Sequence, residues 1–272
     1  MLDGPSDDLD LAGRINFDRP QSARVWNALL MGKDNFEADR RAVEEIVKVD
    51  PGMPHYARQC RAFLVRTVRF LAAEAGIRQF LDIGTGLPTA QNTHEVAQAV
   101  APESTIVYVD NDPLVLLHAR ALLTNTTPEG LSTYVEADVR EPETIIAAAR
   151  NVLDFTRPIA VMLLGILGHA TDDYPTMRRI LDRLMGPVPS GSYLVLLDGA
   201  RTEDKVYLDA IVRCAEVGHP YHLRTPRQLE ACFQDLELVE PGLVPVNRWR
   251  PDPPGSDIDP PCNAYGGVGL KP

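Results

Sequence analysis

No stretch of this chain is both apolar and long enough to cross a bilayer. The longest run, Ile159 to Leu164 continuing through Gly165 to Leu167, falls well short of the roughly 20 residues a spanning helix requires. Basic residues are in deficit. The 272 residues carry 27 Lys and Arg against 38 Asp and Glu, a formal net charge of −11. Nucleic-acid binders need a basic face to neutralise phosphates, so nucleic acid is not an expected partner. The one basic series, Arg58, Arg61, Arg66 and Arg69, reads as the solvated face of a helix. Cysteine is scarce: Cys60, Cys214, Cys232 and Cys262 form no C-x-x-C pair, so neither a zinc site nor a redox motif is indicated, and no metal is expected. Free thiols fit a reducing compartment. The acidic opening Met1 to Asp8 lacks the apolar centre of a signal peptide. The expectation is a cytoplasmic protein, and with 44% hydrophobic residues it has enough apolar material for a sizeable core.

What is present is a regular alternation. Residues 1–19 read as a flexible acidic arm. Residues 20–76 hold three amphipathic helical patterns, over 21–31, 37–49 and 55–76, forming an N-terminal extension. From residue 77 to 272, strands are expected at 80–83, 105–110, 133–136, 158–164 and 192–197. They alternate with helices at 92–100, 112–123, 143–150, 176–185 and 202–217. Alternation at this pace means βαβ units and a parallel sheet. The end differs: a short helix at 227–233, a strand-like 236–246 interrupted by Pro241-Gly242, a Pro- and Asp-rich loop at 252–261, and a last strand at 265–270. Two late strands joined by a loop suggest an antiparallel hairpin at one edge. The expected fold is α/β: a Rossmann-like, doubly wound, mostly parallel sheet of seven strands, forming one structural unit with the helical extension.

Three acids sit at the ends of successive strands. Asp82 precedes Gly84-Thr85-Gly86, a sharp break straight after a buried strand. Ligands of open α/β sheets lie beyond the carboxyl ends of the strands, so this break is the first place to look for one. A dinucleotide loop would be G-x-G-x-x-G, but here Pro88 stands at the third glycine and has no N–H to offer a phosphate. Asp110, followed by Asn111, ends the second strand, where an acid accepts both hydroxyls of a ribose; otherwise it caps the next turn, a task Asp112 already serves. Asp138-Val139 follows the third strand, where an acid meets a purine amino group or simply forms a turn.

The order Asp82-x-Gly84-x-Gly86, Asp110, the helix Asp112-Pro-Leu-Val-Leu-Leu-His-Ala-Arg120 and Ala137-Asp138 resembles the motifs of class I S-adenosylmethionine-dependent methyltransferases. More narrowly, Ala23-Arg-Val-Trp-Asn-Ala-Leu-Leu, Gly32-Lys-Asp-Asn-Phe36, Phe80 to Thr89, Asn92 to Ala97 and Tyr108 to Pro113 resemble an actinobacterial methyltransferase family once known as a domain of unknown function. The resemblance spans about Pro20 to Pro272 and implies S-adenosyl-L-methionine as cofactor. It implies that Gly84, Thr85 and Gly86 pass under the methionine part, with Asp82 reaching its amino group. It implies that Asp110 holds the ribose, with Asn111 beside it, and that Asp138 and the Val139 backbone meet the adenine. Gly165 to His169, after the fourth strand, would border the transferring methyl, with His169 as general base or as a hydrogen-bonded structural histidine.

On the substrate side, the Lys33–Phe36 turn needs Gly32 for its geometry but has no obvious use for Lys33 or Phe36. Lys33, Asn35 and Phe36, with Trp26 and Arg24, are therefore candidates to line or lid the site, against the alternative of a helix-packing turn with Trp26 in the core. His94 and Tyr265 are further candidates. The expected function is methyl transfer to an unidentified small molecule. The competing readings are a non-catalytic S-adenosylmethionine-binding or ligand-sensing protein, and an NAD(P)-dependent oxidoreductase, which would want the glycine that Pro88 replaces.

Overall fold

A computed structural model describes residues 11–122, 126–252 and 259–272. Helix α1 spans Ser22–Leu29, α2 Glu37–Val49 and α3 Met53–Ala73, and residues 11–13 are also helical. The alternating part follows as β1 (Gln79–Ile83), α4 (Thr93–Val100), β2 (Thr105–Asp110), α5 (Pro113–Leu122), β3 (Leu131–Glu136), α6 (Pro142–Ala149) and β4 (Ala160–Leu164). It continues with α7 (Leu167–Ala170), α8 (Tyr174–Met185), β5 (Tyr193–Gly199), α9 (Lys205–Glu216), α10 (Pro226–Glu230), β6 (Glu237–Leu238), β7 (Val244–Pro245) and β8 (Ala264–Leu270). The local signals act as read. Asp112 Oδ1 accepts from the Leu114 amide at 2.9 Å, and the Asn92 amide donates to Glu95 at 2.7 Å.

The strand order is β3-β2-β1-β4-β5-β8-β6, with β7 also paired to β8. The pairs β1–β2, β1–β4, β2–β3 and β4–β5 are parallel, while β8 runs antiparallel to β5, β6 and β7. Strand order reverses at β1, which lies between β2 and β4, and this opens a crevice at its carboxyl end. Among the described residues the sheet has eight strands, where seven are expected. The stretch 236–246 splits into two two-residue strands because Pro241 has no N–H for the ladder and Gly242 turns the chain at φ 87°.

Alternation along the strands gives the sheet two covered faces. Leu81, Ile83, Val161, Leu163, Leu194 and Leu196 pack against α6 and α8. Phe80, Ile106, Tyr108, Met162 and Val195 pack against Phe63, Leu64 and Val68 of α3 and Val96 of α4. Burying a side chain of this size contributes roughly 1.5–3 kcal/mol, so register is strongly held. This register puts Asp82 on the α3 side of the sheet, among residues otherwise apolar. A third apolar cluster joins α1, α2, α3 and α9 through Leu29, Ile46, Met53, Ala57, Tyr207 and Cys214.

Leu11 is buried, Arg14 pairs with Glu136, and the carbonyls of Asn16 and Arg19 accept from Arg24. The expected arm therefore lies against the domain over residues 11–19; residues 1–10 lie outside the described residues, as do 253–258 of the Pro-rich loop and residue 123 at the end of its helix. The basic series also departs from expectation. Only Arg58 and Arg69 lie on an exposed face; Arg66 donates to the carbonyls of Trp249 and Val246, and Arg61 turns inward.

Candidate functional site

Asp82 is the centre of a buried polar group. Its carboxylate accepts from Thr93 Oγ1 at 2.6 Å, and Arg61 of α3 stands close enough to act on its charge. Burial pushes the Asp82 carboxyl above its ordinary range, and Thr93, Arg61 and Thr85 partly offset this. Arg61 Nη2 grips the following loop, donating to the carbonyls of Ala90 and Gln91 at 3.2 and 2.9 Å and to Asn92 Oδ1 at 3.1 Å. Its Nε is buried and has no hydrogen-bond partner among the described residues.

The glycines then let the backbone turn. Gly84 and Gly86 sit at φ 71° and 69°, in the left-handed region. A Cβ on Gly84 would meet Ile166 at 2.6 Å, whereas one on Gly86 would meet nothing within 4 Å, so this side of Gly86 faces open space. The amides of Gly84 and Thr85 donate to the Val109 carbonyl, and the Gly86 amide donates to Asp110 Oδ2 at 2.8 Å. Asp110 Oδ1 accepts from the Asp112 amide at 3.0 Å. Burial raises the Asp110 carboxyl to about 6, even though both amides favour its charged form. In the place of a third glycine, Leu87 to Asn92 forms an intervening loop, and the helix begins only at Thr93.

One cavity joins these groups, with about 1240 Å³ of space counted out to open solvent. Its walls include Asp82, Gly84, Thr85, Gly86, Asp110, Asn111, Gly165 and His169 of the expected set, and Trp26 from the extension. The remaining expected residues lie elsewhere. Asp138 is tied to Arg140 and to Asn111 Nδ2 (2.9 Å), and the Arg140 side chain holds its carboxyl below the usual range. Val139 is a core residue. His94 hydrogen-bonds through its ring to the Tyr108 hydroxyl at 2.8 Å, behind the loop. Tyr265 of β8 packs on the opposite face of the sheet from α3.

The Lys33–Phe36 turn has a structural account after all. Lys33 is exposed, whereas Asn35 is buried and donates to Asn27 Oδ1 and the Gly32 carbonyl, both at 2.9 Å. The Phe36 ring lies 4.6 Å from Phe17 and under the Arg24 guanidinium at 5.1 Å, and Arg24 pairs with the fully buried Asp39 at 3.4 Å. None of Arg24, Lys33, Asn35 and Phe36 lines the cavity.

At the β4 and β5 end, His169 Nδ1 lies 3.0 Å from the Pro220 carbonyl. A carbonyl only accepts, so Nδ1 carries the proton and Nε2 keeps its lone pair. Burial lowers His169 to about 4 and the neighbouring His219, ring to ring at 4.7 Å, to about 3, so both are neutral imidazoles at physiological pH. Tyr221 lies edge-on to His169 at 4.7 Å and donates its hydroxyl to Asp198. The Gly199 amide donates to the Tyr221 oxygen at 3.1 Å. Asp198, fully buried at the end of β5, is raised to about 7 by burial and drawn back by Arg224, 3.7 Å away.

Arg61, Tyr56, His219 and Tyr221 also line the cavity, beyond the residues expected from sequence. Arg61 had a readable signal: it lies three and seven residues before Leu64 and Val68, on the apolar stripe of α3, where a solvated arginine has no place. Tyr56 shares α3 with Arg61, and His219 and Tyr221 lie in the loop after α9, which carries no ligand motif.

A family model described as S-adenosyl methyltransferase matches residues 9–272. Among solved structures, a DUF574 family protein from Streptomyces avermitilis is 42% identical with a TM-score of 0.90, over 95% of this chain and 100% of that one. A candidate methyltransferase from Thermobifida fusca is 44% identical with a TM-score of 0.86, over 94% and 96% of the two chains. No curated protein matches. The match over nearly the whole length, on a fold that opens its crevice beside Asp82, Gly84–Gly86 and Asp110, places this chain in the S-adenosyl methyltransferase family, with S-adenosylmethionine as its cofactor.

Proposed function

We propose that the cavity at the carboxyl ends of β1, β2 and β4 holds the cofactor and a small-molecule acceptor side by side, with His169 facing the acceptor. One observation carries this reading: Asp82, the glycine turn, Asp110 and His169 all open onto the same space. The residues suit the cofactor on their own chemistry. Gly86 borders open space, Asp110 keeps lone pairs free for ribose hydroxyls, and the Arg61 Nε beside Asp82, unpartnered among the described residues, suits the carboxylate of a methionine part. Asp82 in turn suits its ammonium. Asp138, held by Arg140, keeps the β3 end in place rather than meeting adenine through its carboxylate; Asn111 is the polar side chain at that end that reaches the cavity.

When bound, S-adenosylmethionine supplies a methyl group on a cationic sulfur. The chain's task is then largely positioning and the exclusion of water, which contribute much of the barrier reduction in a two-reactant displacement. His169 accepts a hydrogen bond at Nε2 from the acceptor atom and takes its proton as that atom is methylated. Its low basicity keeps it neutral and ready, and makes it an orienting acceptor first and a proton sink second. The cytoplasmic assignment rests on four cysteines that are all free thiols.

Titration calorimetry tests the cofactor part. S-adenosylhomocysteine should bind with 1:1 stoichiometry and NAD should not; binding of NAD alone would refute the assignment. Turnover of methyl-labelled S-adenosylmethionine against a metabolite pool, lost in His169→Ala with homocysteine-product affinity retained, tests the acceptor part.

A further inference from the structure

The cavity does not stop at the cofactor loop. It runs on between α1, α2, α3 and α9, where Trp26, Leu29, Ile46, Met53, Ile211 and Cys214 form its wall. These residues belong to the third apolar cluster, Trp26 and Ile211 as its partly buried members. An apolar wall continuous with a reaction site reads as a binding lobe. Two aromatic rings border it, Trp26 edge-on to Tyr56 at 6.2 Å, with Tyr56 stacked on Tyr207.

Charge is distributed unevenly along the cavity. The charged side chains in its wall, Arg61, Asp82 and Asp110, all belong to the cofactor end. The other polar side chains in the wall include His169, His219, Tyr221, Tyr56, Ser22 and the indole of Trp26, none of them a cation. Their hydrogen-bonding capacity is lopsided. His169 offers the Nε2 lone pair because Nδ1–H is committed to Pro220. The Tyr221 hydroxyl donates its hydrogen bond to Asp198 and so does not offer it to a ligand. His219 supplies at most one N–H. This end of the site therefore welcomes a donor and has nothing to neutralise an anion.

We propose that this lobe is the acceptor site, and that it takes an uncharged, largely apolar ring compound whose polar group is a hydroxyl presented to His169. The proposal rests on the methyl-transfer reading of the same cavity. A carboxylate or phosphate in this position would be desolvated without a cation, and an unsubstituted ring would leave Nε2 without a partner.

The test uses binding, with the full chain saturated with S-adenosylhomocysteine. The probes are 4-phenylphenol, biphenyl and biphenyl-4-carboxylate, followed by calorimetry and by Trp26 fluorescence in a Trp249→Phe background. The phenol should bind best, with the carboxylate weaker by about tenfold or more. Ile211→Trp, which fills the lobe, should abolish phenol binding and leave S-adenosylhomocysteine affinity within about twofold; Leu29→Phe is the second variant should the first not fold. His169→Phe should remove the preference for the phenol over biphenyl. Equal binding of the carboxylate, unchanged phenol binding in both filling variants, or no binding of any probe at millimolar concentration would overturn the proposal. Phenol binding in a protein that ignores S-adenosylhomocysteine would keep the lobe and reject the cofactor assignment, so the two failures are distinct.

Discussion

The proposed ribose contact makes cofactor affinity depend on pH. Asp110 is buried at the end of β2, and its carboxyl is raised to about 6 in the free protein. Ribose hydroxyls donate, so the bound form needs the carboxylate, and binding must expel the proton where one is present. Affinity is then reduced by a factor of one plus the ratio of protonated to ionised Asp110: about 1.1 at pH 7, about 2 at pH 6 and about 11 at pH 5. The sign is fixed by the raised value: affinity holds above pH 6 and falls as pH drops through it. The change from pH 7 to 5 corresponds to about 1.4 kcal/mol. The amino and carboxyl groups of S-adenosylhomocysteine titrate outside this window, and His169 and His219, at about 4 and 3, titrate below it. Calorimetry in two buffers of different ionisation enthalpy gives a second readout, since binding at pH 5.5 should release about three-quarters of a proton. Asp110→Asn should bind more weakly, because one of the Gly86 and Asp112 amides loses its acceptor, but its remaining affinity should be flat across this range. A wild-type affinity that is constant from pH 5 to 7.5, with no proton released, would refute the role of Asp110.

Gly84→Ala should lower the melting temperature and weaken S-adenosylhomocysteine binding together: a left-handed alanine costs about 1–2 kcal/mol, and its Cβ would press on Ile166 at 2.6 Å. Arg61→Gln should weaken the same ligand about tenfold or more, because it removes both the grip on the 90–92 carbonyls and the charge beside Asp82; calorimetry on a variant with an unchanged circular dichroism spectrum checks this. Asn35→Ala should cost about 1–3 kcal/mol in urea denaturation by freeing buried partners at Asn27 and Gly32, while Lys33→Ala should cost little; both should bind S-adenosylhomocysteine like wild type, and a specific loss of affinity in either would restore the lid role.

The local record in the chain is enough for the element order, the parallel sheet and the glycine turn. Strand alternation, the Asp112-Pro113 helix start and the Asn92–Glu95 box are interactions over two to four residues, so a one-dimensional reading reaches them. Asp82, Gly84, Gly86 and Asp110 also follow from position alone, because in a parallel sheet every strand end points at the same edge. What depends on side chains far apart in sequence was out of reach. The Lys33–Phe36 turn could be read as a lid or as a helix-packing turn until Asn27, Asp39 and Phe17 appeared as its partners. Asp138 has the right position for a ligand, but Arg140 and Asn111 engage its carboxylate. The cavity wall between α1, α2, α3 and α9 has no signature at all, since residues lining a cavity and residues filling a core share the same apolar periodicity. What can be read from the chain alone is the kind of cofactor and the edge of the sheet at which to look for it. How far the cavity extends and which polar groups stay unpaired within it come from the folded arrangement, because space and unmet hydrogen bonds are properties of packing between distant segments.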